Sequence, residues 1–219
     1  MTQTYISATR RLSELAEVFT GRDLTVKFQW SAVTASSYLA NWRKAGLIRS
    51  LGGHSDVHLN LVKNRNPNLE TALRRALPEA CKIGVDVLRE AGWTTQIVAQ
   101  PEVAILSSSP SYKLTDFQLV VRSAAWFARV APGMLDPDGA VKRLLPAWAL
   151  ADMLARASDR RVRKAWLLAP DDLDLDAAQQ DPQMQAALAA FDLPVEAVLE
   201  REYASFFDQF QRVRALGQS

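Results

Sequence analysis

A single cysteine, Cys81, stands among 219 residues, which excludes an intrachain disulfide and a cysteine-built zinc site. Histidine is nearly as scarce. His54 and His58 have no third His or Cys to complete a ligand set, so no metal site is expected. No apolar run reaches the ~18–20 residues of a membrane helix, and Met1 to Arg11 holds no apolar segment of the secretory kind. A soluble, cytoplasmic protein with no membrane partner is expected. Neither G-x-x-x-x-G-K-[ST] nor G-x-G-x-x-G occurs, so those nucleotide-binding routes are absent. Ser107-Ser108-Ser109 lacks the G-x-S-x-G frame of a serine hydrolase. The run Asp171-Asp172-Leu173-Asp174-Leu175-Asp176 lacks the glycine and closing Glu of a calcium loop, and reads as a solvated linker or capping run. No catalytic residue and no cofactor is expected; the chain reads as a non-enzyme.

What remains is ordinary globular composition, 48% hydrophobic and 23% charged, with length for one large domain or two modest ones. The net charge of +2 hides an uneven distribution. Residues 1–66 carry nine Lys/Arg against four Asp/Glu, residues 67–169 fourteen against ten, and residues 170–219 three against ten. A basic start and an acidic tail suggest different partners at the two ends, although small domains often carry a few net charges.

Ser7 to Phe19 reads as an amphipathic helix on Leu12, Leu15, Ala16 and Phe19. Thr20-Gly21 breaks it, and a short helix follows from Arg22 to about Phe28. Ser31 is a good N-cap for a third helix, Ala32 to Ala45, whose Ala35, Leu39 and Trp42 share one face. Gly46 ends that helix. Leu47–Leu51 and Val57–Leu61 read as strands around the turn Gly52–Asp56. Three helices and a hairpin in this order predict a winged helix-turn-helix. Its natural partner is double-stranded DNA. Ser31, Thr34, Ser36, Ser37 and Asn41 would approach bases or phosphates, and Arg43, Lys44, Arg49, His54, Lys63 and Arg65 would supply cationic or phosphate-facing groups. A protein-docking winged helix is the alternative.

Asn64-Arg65-Asn66-Pro67-Asn68 is the predicted linker, giving domains 1–66 and 67–219. The second is predicted α+β: a helix over Leu69–Ala91 with a possible split at Leu77-Pro78, then strands at Thr94–Val98, Glu102–Leu106 and Asp116–Arg122. Ala124–Phe127 continues the last strand or starts a short helix. Helices follow at Pro146–Ala157 and Val195 to about Ala215, with an acidic loop over Pro170–Asp181 between them. Two weaker constellations stand out. Glu102, Asp116 and Gln118 approach the carboxylate pattern of metal nucleases, with Gln118 where a lysine belongs. Arg156, Arg160, Arg161, Arg163 and Lys164 form either a solvated helix end or a second anion-binding or docking patch.

Phe19-Thr20-Gly21-Arg22-Asp23-Leu24 and Ser36-Ser37-Tyr38-Leu39-Ala40-Asn41-Trp42-Arg43-Lys44-Ala45-Gly46-Leu47-Ile48 resemble the N-terminal domain of AbiEi-type antitoxins of type IV toxin–antitoxin systems. Leu145-Pro146-Ala147-Trp148-Ala149-Leu150-Ala151-Asp152-Met153-Leu154 is similar to a helix of that family's C-terminal domain. The resemblance implies a winged helix that binds inverted repeats in its own operator and represses the operon. It also implies a C-terminal domain that counteracts a nucleotidyltransferase-like toxin, with or without touching it. It carries over no catalytic residue. Arg43, Lys44 and Arg49 fall where DNA contacts are expected. A stand-alone regulator with a ligand-binding or dimerising second domain and, less favoured, a metal-dependent nuclease are the alternatives.

Overall fold

In a computed structural model, residues 7–109, 112–158, 168 and 172–194 are described. The architecture is α+β. The chain divides into two compact units: Met1–Glu79 with Ser109–Asp116 and Asp138–Val141, and Ala80–Ser108 with Phe117–Pro137 and Lys142–Ser219. Among the described residues no helix is long and apolar enough to cross a membrane.

The first unit opens with helix α1 (Ala8–Ser13), capped by the Ser7 side chain, which accepts from the Arg10 N–H. The helical period of the sequence continues to Phe19, but the helix does not. Val18–Thr20 is instead strand β1. A β-branched and an aromatic residue in succession suit a strand, and pairing outweighs local propensity. α2 (Gly21–Phe28) and α3 (Ala32–Lys44) follow. β2 (Ile48–Ser50), β3 (Gly52–Gly53) and β4 (Val57–Asn60) come next. Strands β1, β4 and β2 form an antiparallel sheet in that order, with Phe19 opposite His58 and Arg49 opposite Leu59. The core joins Leu12, Leu15, Phe19, Leu24, Ala35, Leu39, Trp42 and Ile48. Asn60, fully buried, ties sheet to helix by donating to the Leu12 carbonyl at 2.7 Å.

The predicted linker is a turn rather than an exit. Asn68 caps α4 (Leu69–Ala76) by accepting from the Glu70 and Thr71 amides. Ala72 of that helix is buried with Val18, Leu51, Val57 and Leu59. The first compact unit therefore runs past Asn66 to Glu79. β7 (Lys113–Leu114) also belongs to it, paired with β3.

In the second unit the helix predicted over Leu69–Ala91 is interrupted by β5 (Cys81–Ile83), and α5 (Val85–Glu90) resumes after it. β6 (Glu102–Leu106), β8 (Gln118–Arg122), β9 (Met134–Leu135) and β10 (Lys142–Leu144) complete a five-stranded sheet in the order β8-β6-β5-β10-β9. β5, β9 and β10 are too short to show a period of two, and the strand expected at Thr94–Val98 is irregular backbone. α6 (Ala124–Val130) settles the ambiguous segment as helix, and α7 (Pro146–Ser158) lies where predicted. α8 (Leu175–Gln180) and α9 (Met184–Ala190) follow. Asp174 of the acidic run caps α8 by accepting from Ala177 N–H. The helix expected over Val195–Ala215 lies outside the described residues.

Candidate nucleic-acid interface

The junction of α2 and α3 is fixed by backbone and rings together. Gln29 takes a left-handed conformation, φ 54°, which turns the chain sharply after Phe28. Trp30 then stacks on Tyr38 at 4.2 Å and lies 4.9 Å from Phe28, while the Arg11 guanidinium sits 4.8 Å from the Tyr38 ring. Such contacts contribute about 0.5–1.5 kcal/mol each beyond area burial, enough to hold the angle at which α3 is presented. Trp42 is buried with Leu39 as the sequence indicates; Trp30 joins this cluster without having been anticipated.

α3 begins and ends cleanly. The Ser31 hydroxyl accepts from the Thr34 N–H at 3.1 Å and meets the Thr34 hydroxyl at 2.9 Å. Both side chains are thereby engaged in capping, a role in folding beyond the DNA contacts expected of them. At the other end Gly46, φ +68°, lets its own N–H reach the Arg43 carbonyl and the Leu47 N–H reach the Trp42 carbonyl. Two orphan carbonyls are satisfied by a conformation glycine adopts cheaply.

Between these caps the outward face carries Val33, Ser36, Ser37, Ala40, Asn41 and Lys44, with Arg43 beside them, all exposed. Val33 is 80% exposed, and it was missed from sequence because an isolated valine reads as core. A stripe of small groups lets a helix backbone approach a groove floor; a valine methyl suits a thymine methyl, and serine or asparagine suits base edges. The basic pair stands at the C-terminal end of the same helix.

The remaining candidates separate. Arg49, on β2, is half-exposed with its guanidinium 3.6 Å from the Asp116 carboxylate. His54 is exposed at the hairpin tip in a left-handed conformation, φ 67°. Arg65 is exposed after the hairpin. Lys63 is exposed, but its ammonium donates to the Leu15 carbonyl at 3.0 Å and so is engaged with the fold. His58, the other histidine, is buried.

In the second unit, Arg156 of the suggested basic patch does not stand free. Its guanidinium donates to Glu102 at 2.8 Å. Arg160, Arg161, Arg163 and Lys164 lie outside the described residues. The same pairing bears on the carboxylate constellation: Glu102 and Gln118 face each other across the β6–β8 register, but Glu102 is spent on Arg156 and Asp116 on Arg49. A second, buried pair lies nearby: Arg122 donates to Asp152 at 2.7 Å, and Trp126 Nε1 donates to the other oxygen at 2.8 Å. Burial raises the Asp152 pKa despite both donors. A cleft of about 360 Å³ borders Gly84, Asp86, Val98, Gln100, Glu102 and Gln118.

No protein-family model and no curated protein matches the sequence. Among solved structures the chain is similar to the crystal structure of the RV2827C protein from Mycobacterium tuberculosis, at 15% identity and a TM-score of 0.49, over 88% of this chain and 80% of that one.

Proposed function

We propose that this chain is a DNA-binding regulator whose first unit is a winged helix-turn-helix, with α3 entering the major groove and the β2–β4 hairpin lying along the backbone as the wing. The observation that carries this reading is the exposed face of α3, small from Val33 to Ala40 and ending in Arg43 and Lys44. The short side chains allow close approach, and the two cations bind phosphate at the groove's edge. On the residues that resemble AbiEi-type antitoxins, we extend the proposal: the chain represses its own operon through an inverted repeat and counteracts a nucleotidyltransferase-like toxin in the cytoplasm, the second unit serving that role. The nuclease alternative is weakened because each of its carboxylates neutralises an arginine.

The test is a gel shift of the full chain with its own upstream region against a scrambled fragment of equal length at ~150 mM salt, where non-specific binding is weak. A shift specific to the upstream region and lost when the repeat is broken is the expected result. Equal binding to both fragments, or none, removes operator recognition. The cleft beside Gln100 and Gln118 favours a second reading, in which a small polar ligand held there governs a stand-alone regulator. A toxin-like neighbouring gene that is harmless only when this chain is co-expressed decides for the antitoxin.

A further inference from the structure

The wing hairpin carries an added strand from much further along the chain. β3 pairs antiparallel with β7, setting Gly52 opposite Leu114 and Gly53 opposite Lys113. The sequence is cut to fit this contact. A Cβ on Gly52 would collide with the Lys113 carbonyl and come within 2.6 Å of Leu114 Cδ2, so the strap's close approach requires glycine there. Leu114 is anchored against the cluster of Val18, Leu51, Val57, Leu59 and Ala72. Two residues on, Asp116 reaches Arg49 of β2, so the strap touches the wing by backbone, by an apolar side chain and by charge. Lys113, between these fixed points, is exposed, and its ammonium forms no ion pair with a described residue.

We propose that β7 is a working part of the wing and that Lys113 is a phosphate-binding residue of the DNA interface. The inference rests on the proposed DNA-binding function. The two residues of β3, Gly52 and Gly53, have no side chain to offer a phosphate. Lys113 lies directly across from Gly53, with its Cβ 3.5 Å from where a Gly53 Cβ would be, and so puts a cation on that bare edge. Its pairing partner Gly53 directly precedes His54, and Arg49 lies on β2 of the same hairpin as Gly53. The strap supplies the charge that the glycines, required for its own packing, cannot.

The experiment measures binding of the full chain to a random-sequence duplex of about 24 base pairs from ~50 to ~200 mM salt, as the slope of log K against log[salt]. Lys113→Ala is expected to lower the slope by roughly one, as one phosphate contact is lost, and Lys113→Arg to retain it. Gly52→Val, which displaces β7, is expected to lower it by the same amount, with no further loss when combined with Lys113→Ala. An unchanged slope in Lys113→Ala, while Arg43→Ala lowers it, overturns the strap's role and leaves the DNA-binding reading in place. A slope near zero for the unmodified chain, or one untouched by Arg43→Ala, Lys44→Ala and Lys113→Ala alike, overturns both.

Discussion

The His58 imidazole is 2% exposed, with Phe19 packed near its ring and no hydrogen-bond partner for Nδ1 among the described residues. Burial first, and the Arg43 cation second, lower its pKa from 6.5 to about 4; Asp56, 3.9 Å from Nε2, opposes them weakly. The sign follows. Between about pH 4 and 6.5 the unfolded chain binds a proton that the folded chain refuses, so stability is full above 6.5 and falls as the pH drops towards 4. At pH 5 the loss is about 2 kcal/mol, on 1.36 kcal/mol per unit. Urea midpoints at pH 7 and pH 5 are expected to fall further in the natural chain than in His58→Phe. Equal falls would assign the acid sensitivity elsewhere. Val33 makes a complementary case. Being 80% exposed, it supports no core, so Val33→Asp is expected to leave the melting temperature within a degree or two while weakening DNA binding at least tenfold, by bringing a carboxylate to a phosphate-lined groove. A melting temperature that drops with affinity would return Val33 to a packing role.

At the scale of elements, α3 is legible in the sequence because every local signal agrees: Ser31 caps it, Ala35, Leu39 and Trp42 repeat at helical spacing, and Gly46 ends it. β1 is hidden for the opposite reason. Val18 and Phe19 continue the apolar stripe of α1, and only their partners Leu59 and His58 decide for strand. β5 is hidden likewise, since Cys81–Ile83 has helical segments on both sides and is selected by β6 and β10. The start of α2 shows local and distant contacts meeting in one side chain. Asp23 accepts from the Thr20 N–H at 2.7 Å, and its carboxylate also takes Arg75 of α4 at 2.6 Å. Asp23→Ala is expected to cost about 1 kcal/mol, mostly through the lost cap, because the partly exposed ion pair adds little. Asp23→Asn, which keeps the acceptor and drops the charge, is expected to recover most of it in chemical denaturation; no recovery would make the ion pair the larger part.

At the scale of the whole molecule, the candidate site is half legible in the sequence. Arg43 and Lys44 are proposed from reading α3 alone, whereas Lys113 joins the β2–β4 hairpin only through strand pairing across a long stretch of chain, a non-local fact no window of sequence contains. The extent of the first unit was obscured by the same limit. Asn64–Asn68 has the polar, proline-bearing composition of a linker, yet it is a turn that sends α4 back against β4. Pro67 is itself buried, and Asn68 N–H donates to Glu17 Oε1 at 2.8 Å, so the turn is tied down at both levels. Two fragments test this. One ending at Asn66 removes Leu69, Ala72, Leu73 and Ala76, stripping the cover from Leu51, Val57 and Leu59. Burial of a full aliphatic side chain stabilises by about 1.5–3 kcal/mol, and a unit this small has roughly 5 kcal/mol in all. The fragment 1–66 is therefore expected to show a broad or absent thermal transition and to bind a hydrophobic dye, while 1–79 melts cooperatively. Equal melting of the two would mean that α4 is only laid on a unit already complete, and that its contacts with β4 add nothing the smaller core lacks.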